Sequence, residues 1–433
     1  MGRLFLIAVR SLLANRRRNL LLGGAIAGVT MLLTLLGAVG AGIQHTMIDA
    51  GTALISGHVN VGGFYKISAG RPAPVLTGRT KLMEDIEDLV PEARLIVDRT
   101  RGFGKLVSET DSVQAGLTGI DITRDREILR VVQVVEGAVE DLARPHTVML
   151  YKKQAERLGV GVGRRLTITA PVLRGRNNSL DVEVVAIAKD LGLLSLMNCY
   201  VSKDTTTDLY LLDPDTTGVI QIRLDDPGTS DAIAERLRAA LPDRGYTVME
   251  KMDGPFYHKF QAIAGEDWTG LRLDITTWEE DLSMMEWTIK TFSTITWLLT
   301  GILLVIIIIG VMNTLWINIR DRTREIGTLR AIGMRRHKVL IMVLLEVAIL
   351  SVVFTTAGVG LGAAGSALLN ALHIPVSTGF QIFLMSDTLK LVLDLDSIAS
   401  ALFWIPFAIT VFSLIPASRG ARLKPITAIH HVG

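Results

Sequence analysis

The sequence predicts an α-helical membrane protein with four transmembrane helices and a large α+β extracytoplasmic domain inserted between the first and second. Three observations carry this reading. Four stretches hold no charged residue, Leu20 to Gln44, Thr291 to Ile319, Val347 to Leu372 and Ser397 to Ser418, and each reaches the ~20 helical residues that cross about 30 Å of hydrocarbon. Basic residues gather on one side of these runs. Between the first and second run the pattern changes to short alternating strands and amphipathic helices, the periodicities of a water-exposed α+β domain.

Composition agrees. Of 433 residues 49% are hydrophobic and only 20% charged, and the mean hydropathy is +0.39. Disorder requires low hydrophobicity and high net charge, whereas the net charge here is +2, and a disulfide scaffold is excluded because Cys199 is alone.

Taken in order, residues 1–19 form a basic cytoplasmic helix with Arg3, Arg10, Arg16, Arg17 and Arg18 and no acid. The first transmembrane helix is 20–44. Its apolar run is longer than the roughly 7–15 residues of a signal-peptide core, so it reads as a retained anchor. Residues 45–273 form the outer domain. There Val59 to Ile67 and Arg94 to Val107 read as strands and Thr80 to Val90 as a helix burying Leu82, Ile86 and Leu89. Ser230 reads as the cap of a helix with Ile233, Leu237 and Leu241 on one face. An inserted subdomain occupies about 112–215, with a helix near Thr147 to Leu158 and strands at Leu166 to Ala170 and Asp181 to Ala188. Residues 274–290 read as a stalk helix continuous with the second transmembrane helix, 291–319; a helix from Asp274 to Ile319 would be about 69 Å long at ~1.5 Å per residue.

The remaining segments are an inner loop at 320–338, a third transmembrane helix at 339–372, an outer loop at 373–396, a fourth helix at 397–418 and a cytoplasmic tail at 419–433. Orientation follows from the flanks, since cytoplasmic loops carry the basic excess. The inner loop holds Arg320, Arg322, Arg324, Arg330, Arg335, Arg336 and Lys338 against Asp321 and Glu325, while residues 44–290 hold 29 basic and 37 acidic side chains. Both termini are therefore placed inside.

Residues that would carry chemistry are few. Gly159-Val-Gly161-Val-Gly163 lacks the Lys-Ser/Thr end of a phosphate loop and reads as a turn. The histidines form no HExxH pattern, His430-His431 lacks a completing ligand, and no GxSxG elbow occurs. No enzyme activity, bound cofactor, metal site or nucleic-acid partner is expected of this chain; ATP and magnesium, if used, belong to another polypeptide. Glu346 lies near the cytoplasmic start of the third span, where partial depth lowers the cost of a carboxylate, and reads either as a snorkelling interface residue or as a fixed polar contact to the neighbouring cytoplasmic helix or to a partner. Gly358, Gly362 and Ser366, like Gly24 and Gly28, have the small-xxx-small spacing of closely packed helices.

The inner loop carries the recognisable motif. It runs Arg320-Asp-Arg-Thr-Arg324-Glu325-Ile326-Gly327-Thr-Leu329-Arg330-Ala-Ile332-Gly333, with Glu346 in the next helix. This pattern resembles the FtsX-like permease domain of ABC transporters of the MacB and lipoprotein-releasing LolC/LolE type. Arg10-Ser-Leu-Leu-Ala-Asn-Arg16, Ser56-Gly57-His58-Val59, Leu158-Gly159, Pro416-Ala417 and Leu423-Lys-Pro425 extend the similarity along the chain. The resemblance implies a MacB-like periplasmic core domain and a multi-pass subunit of the bacterial inner membrane. It further implies pairing with a second permease, identical or paralogous, and with a cytoplasmic ATPase dimer whose motion is passed to the periplasm. Arg324, Glu325, Ile326, Gly327, Leu329, Arg330, Ile332 and Gly333 are the expected ATPase-coupling residues: the apolar Ile326, Leu329 and Ile332 need a partner surface, because a short loop offers little core of its own. The Gly57-His58-Val59 match and the absence of an ATPase motif favour the lipoprotein-releasing branch; MacB-like efflux with a periplasmic adaptor and FtsX-like activation of a cell-wall hydrolase stay open. Pro171, Arg174, Arg176 and Asn177 mark a candidate hairpin for a periplasmic chaperone.

Overall fold

The fold is described from a computed structural model, over residues 6, 10, 12, 16–66, 72–172, 176–192, 194–252, 259, 263, 265–376, 381, 386 and 388–421. It divides into two compact units, residues 1–45 with 289–376 and 388–433, and residues 46–288 with 377–387. Leu423 to Pro425 and His430-His431 lie outside the described residues.

Among the described residues four helices are long and apolar enough to cross a membrane. The first runs Arg16–Leu54, the second Ser283–Asp321, the third Arg336–Ala371, and the fourth Leu395–Phe412, continued by Leu414–Ala421. Ile26, Ile307, Val311, Leu350 and Ile409 meet in their common core, while Trp297, Leu298, Ile306 and Ile309 point outward, as residues facing hydrocarbon do. Small residues set the spacing of the first and third helices. A Cβ on Gly358 would stand 2.6 Å from the Ala27 carbonyl oxygen, and one on Gly362 2.6 Å from Thr34 Cβ. Gly24 and Gly28 have open space instead, so the two motifs do not face each other.

The second unit is built on a large sheet. In chain order the strands are β1 (Val59–Lys66), β2 (Leu76–Thr77), β3 (Leu95–Val107), β4 (Ser112–Ile120), β5 (Val134–Gly137), β6 (Thr147–Tyr151), β7 (Arg165–Pro171), β8 (Asn177–Ala188), β9 (Asn198–Ser202), β10 (Thr216–Thr217), β11 (Val219–Arg223), β12 (Thr247–Val248) and β13 (Gly270–Thr277). The sheet order is β12, β13, β1, β11, β3, β4, β9, β6, β8, β5, with β7 pairing β3 and β8; β2 and β10 form a separate pair. β3 belongs to both halves. Its Leu95 to Arg99 pair with β11 and its Thr100 to Val107 with β4, so the inserted subdomain departs from within a strand.

Each half has its own core. Helices Arg79–Leu89 and Ser230–Ala240 cover one half, closing Leu82, Ile86, Ile233 and Leu237 over Val59, Val61, Ile220 and Ile222. The other half is buried on both faces: Val148, Leu150, Cys199 and Val201 enter one core, Met149, Tyr151 and Tyr200 the opposite one. Double burial makes these strands read as unbroken apolar runs.

Three expectations are corrected. The stalk helix does not begin at Asp274: Asp274 to Thr277 end β13, paired with β1 from Val59↔Thr277 to Gly62↔Asp274. A short helix Trp278–Asp281 follows, and the long helix starts at Ser283, giving about 58 Å for 39 residues. The β-branched Ile275-Thr276-Thr277 suits a pleated surface, and the apolar spacing that suggested a helix starts only at Trp278. Second, Thr147 to Leu158 is strand β6 followed by a helix at Lys152–Leu158. Third, Ser230 is a helical residue; the cap of the preceding turn is Asp226, whose carboxylate accepts from Gly228 N at 2.9 Å.

Candidate coupling site and outer hairpin

The loop between the second and third long helices is itself structured. Thr323–Ala331 is a helix, set off by Thr323, whose hydroxyl donates to the Arg320 carbonyl at 2.7 Å. It ends at Gly333, with φ of 102°, where Gly333 N donates to Arg330 O and Met334 N to Leu329 O. A left-handed residue at this place satisfies the last carbonyls and turns the chain.

Among the described residues, Ile326 and Arg322 tie this helix to its own unit. Ile326 is only 3% exposed and packs with Ile319, Val339 and Ala421. This corrects the expectation that Ile326 is left for a partner, because the chain does supply a local core. Arg322, immediately before the helix, donates from Nη1 to Glu346 Oε2 at 2.7 Å and from Nε to Glu325 Oε2 at 2.8 Å. Glu346 is buried. A carboxylate there is tolerated because a guanidinium meets it with hydrogen-bond geometry. Glu346 Oε1 and Asn318 Oδ1 have no hydrogen-bond partner among the described residues, and both residues line a cavity shared with Asn19 and Arg322.

The residues grouped in the sequence therefore separate by role. Ile326 and Gly327 are buried, Leu329 and Arg330 half-buried, Glu325 and Gly333 exposed. Ile332 is 84% exposed, and the side chain of Arg324 lies outside the described part. Arg322 is the residue that reading the motif missed as a partner for Glu346. The signal was there: a lone acid in an apolar run calls for a basic residue on a neighbouring flank.

In the second unit, β7 and β8 form a hairpin paired from Arg165↔Glu183 to Pro171↔Asn177. Thr167 donates to Asp181 at 2.7 Å, Val172 N to Arg176 O at 2.8 Å, and Asn178 Nδ2 to the carbonyls of Asp208 and Leu209. Pro171, Arg176 and Asn177 are exposed; Arg174 lies outside the described residues. His58 has a structural occupation. Its Nδ1 accepts from Leu224 N at 2.9 Å and its carbonyl accepts from Trp278 N. That accounts for its place in the motif without reference to a substrate.

Comparison with known proteins adds the following. Residues 20–240 match the MacB-like periplasmic core domain and residues 297–425 the FtsX-like permease C-terminal domain. The macrolide export ATP-binding/permease protein MacB of Agrobacterium fabrum is 25% identical over 431 residues, covering 96% of this chain and 58% of that protein. The uncharacterised ABC transporter permease YknZ of Bacillus subtilis is 28% identical over 134 residues, 31% of this chain and 30% of that protein. The crystal structure of the periplasmic region of MacB from Actinobacillus actinomycetemcomitans aligns with 53% of this chain and 92% of its own, at 13% identity and a TM-score of 0.31. The chain thus spans less than two thirds of the length of these curated relatives.

Proposed function

This chain belongs to the MacB-like, FtsX-like family of ABC-transporter permeases, and from that premise we propose that it passes ATP-driven motion of a separate cytoplasmic ATPase dimer to its periplasmic domain. The carrying observation is the division of labour in Thr323–Ala331 and the turn after it. Ile326 and the Arg322–Glu346 pair anchor the helix to its own chain, which leaves Ile332 as an apolar side chain held out in the open. A fixed helix with an exposed apolar tip, flanked by Glu325 and Arg330, suits a groove on a partner. Under this reading both termini and the 320–338 loop face the cytoplasm, a side their basic flanks favour. ATP and magnesium are bound by the partner, and a second permease completes the transporter.

The cargo we propose is acylated protein or another lipidic molecule drawn from the inner membrane, with the β7–β8 hairpin receiving a periplasmic chaperone. A second reading, export of small hydrophobic compounds or peptides through an adaptor, is favoured by the macrolide exporters among the relatives. Co-purification of the tagged full chain with its ATPase partner into nanodiscs, with ATP hydrolysis and bound cargo measured on one sample, tests both. Hydrolysis with acylated peptide is expected. Hydrolysis with small compounds alone would select the second reading, and a tagged chain that brings down no ATPase activity would contradict both.

A further inference from the structure

The first long helix ends against an unusual set of donors. Its last-turn carbonyls have no intrahelical partners, so other groups must satisfy them. Arg99 donates from Nη2 to Ala53 O at 2.8 Å and from Nη1 to Leu54 O at 3.0 Å, while its Nε meets Asp125 at 2.6 Å. Tyr200 donates to Leu54 O at 2.8 Å, Arg223 to Ala53 O at 3.3 Å, Gln221 to Ile55 O at 3.0 Å and Arg101 to Ile55 O at 3.1 Å. Arg99 and Arg101 alternate along β3, and Gln221 and Arg223 along neighbouring β11. A strand's period of two brings each pair to one face. Arg99 and Arg223 are buried with Asp125 as their close acid. The excess positive charge faces the negative end of the helix macrodipole. It remains costly: burial and Arg99 push Arg223 down to about 10.

Arg101 differs from the others in where its second partner lies. Its Nη2 also stands 4.0 Å from Oδ2 of Asp281, two residues before the second long helix begins at Ser283. Neither Asp281 oxygen is hydrogen-bonded among the described residues, and burial holds its carboxyl above the usual range. This contact is therefore a charge attraction at arm's length, weaker and more compliant than the clamp at Arg99. One side of the Arg101 contact is the carbonyl just past the first spanning helix, and the other is a carboxylate two residues before the second. Arg101 sits two residues beyond the point where β3 leaves β11, and Lys105 to Val107 of the same strand pair with β7.

We propose that Arg101 is a positioning residue that ties the end of the first spanning helix to the entry of the second through β3, so that sliding of one helix past the other is delivered along that strand to the β7–β8 hairpin. The proposal rests on the functional reading above and adds where the motion enters the periplasmic domain. Arg99, Arg223 and Tyr200 hold the first helix fast; Arg101 registers the second. A guanidinium holds its donors in a rigid, charged fork, which a neutral amide or a flexible ammonium does not reproduce.

The test is hydrogen–deuterium exchange on the full chain in nanodiscs with its ATPase, with and without ATP and vanadate, for the parental protein, Arg101→Gln and Asp281→Asn. The parental protein should change exchange in both Thr323–Ala331 and the β7–β8 hairpin on nucleotide addition. Both variants should keep the first change and lose the second. Asp281→Asn should do so with an unchanged or raised melting temperature, since it removes a poorly compensated buried charge; a pair serving only stability would lower it. A hairpin response of parental size in both variants overturns the relay alone. Absence of any change at Thr323–Ala331 in the parental protein overturns the functional reading and the relay with it.

Discussion

The last turn of the first helix and the short helix between the second and third are both junctions, yet they are held in opposite ways. At Ala53 to Ile55 five side chains donate to three carbonyls, and the central one, Arg99, is fully buried. At Thr323–Ala331 the described restraints include the buried Ile326 and the pairing of Arg322 with Glu346, and Glu346 Oε1 has no hydrogen-bond partner among the described residues. The first arrangement resists displacement, since any movement strands buried charge. The second rests, among the described residues, on a small apolar cluster around Ile326 and on Arg322 meeting Glu346. The proposed coupling role would use this asymmetry.

The largest expected effect breaks the tighter junction. Arg99→Met removes one partner of a buried ion pair and leaves Asp125 with distant Arg223 alone, which should destabilise the periplasmic domain by about 3–5 kcal/mol. Chemical denaturation of the full chain in detergent, followed by tryptophan fluorescence, measures it. Ile326→Ala should cost somewhat less, within the ~2–5 kcal/mol of a buried isoleucine truncation, and should appear as local proteolysis between Arg320 and Lys338 while the periplasmic domain keeps its melting temperature.

These two predictions mark what was legible in the sequence. Apolar runs announced four helices because a membrane demands length and excludes charge, and alternation announced the α+β domain. Ile326 and Ile332 stood at similar places in the motif, however, and only the packing of Ile319, Val339 and Ala421 separates anchor from tip. The arginine clamp was invisible. Its acceptors are backbone carbonyls about 45 to 170 residues away, and a carbonyl has no letter in a sequence. Asp274 to Thr277 was misplaced for the same reason: strand pairing with Val59 to Gly62 is non-local, while the helical spacing beyond it is local and easily seen.

A smaller effect sharpens the comparison through pH. Burial, then Arg223 and Arg94, pushes the His58 imidazole from 6.5 down to about 4. The unfolded chain therefore takes up this proton first, so the stability present above pH 6.5 is lost progressively as pH falls through 4. His58→Gln, which keeps an acceptor for Leu224 N, should flatten that slope in denaturation curves between pH 7 and pH 4. An identical slope in the variant would assign the acid sensitivity elsewhere.

The smallest effect on stability tests the central claim most directly. Ile332 is 84% exposed, so Ile332→Asp should change folding by no more than about 0.5 kcal/mol, while placing a desolvated carboxylate in any apolar groove that receives it. Thr328→Ser serves as the neighbouring control. On membranes with equal permease levels, ATPase retained on the affinity-tagged chain and cargo export are measured in the same sample. Ile332→Asp should lose both while Thr328→Ser keeps both. Parental ATPase retention and export in Ile332→Asp would contradict coupling through this helix.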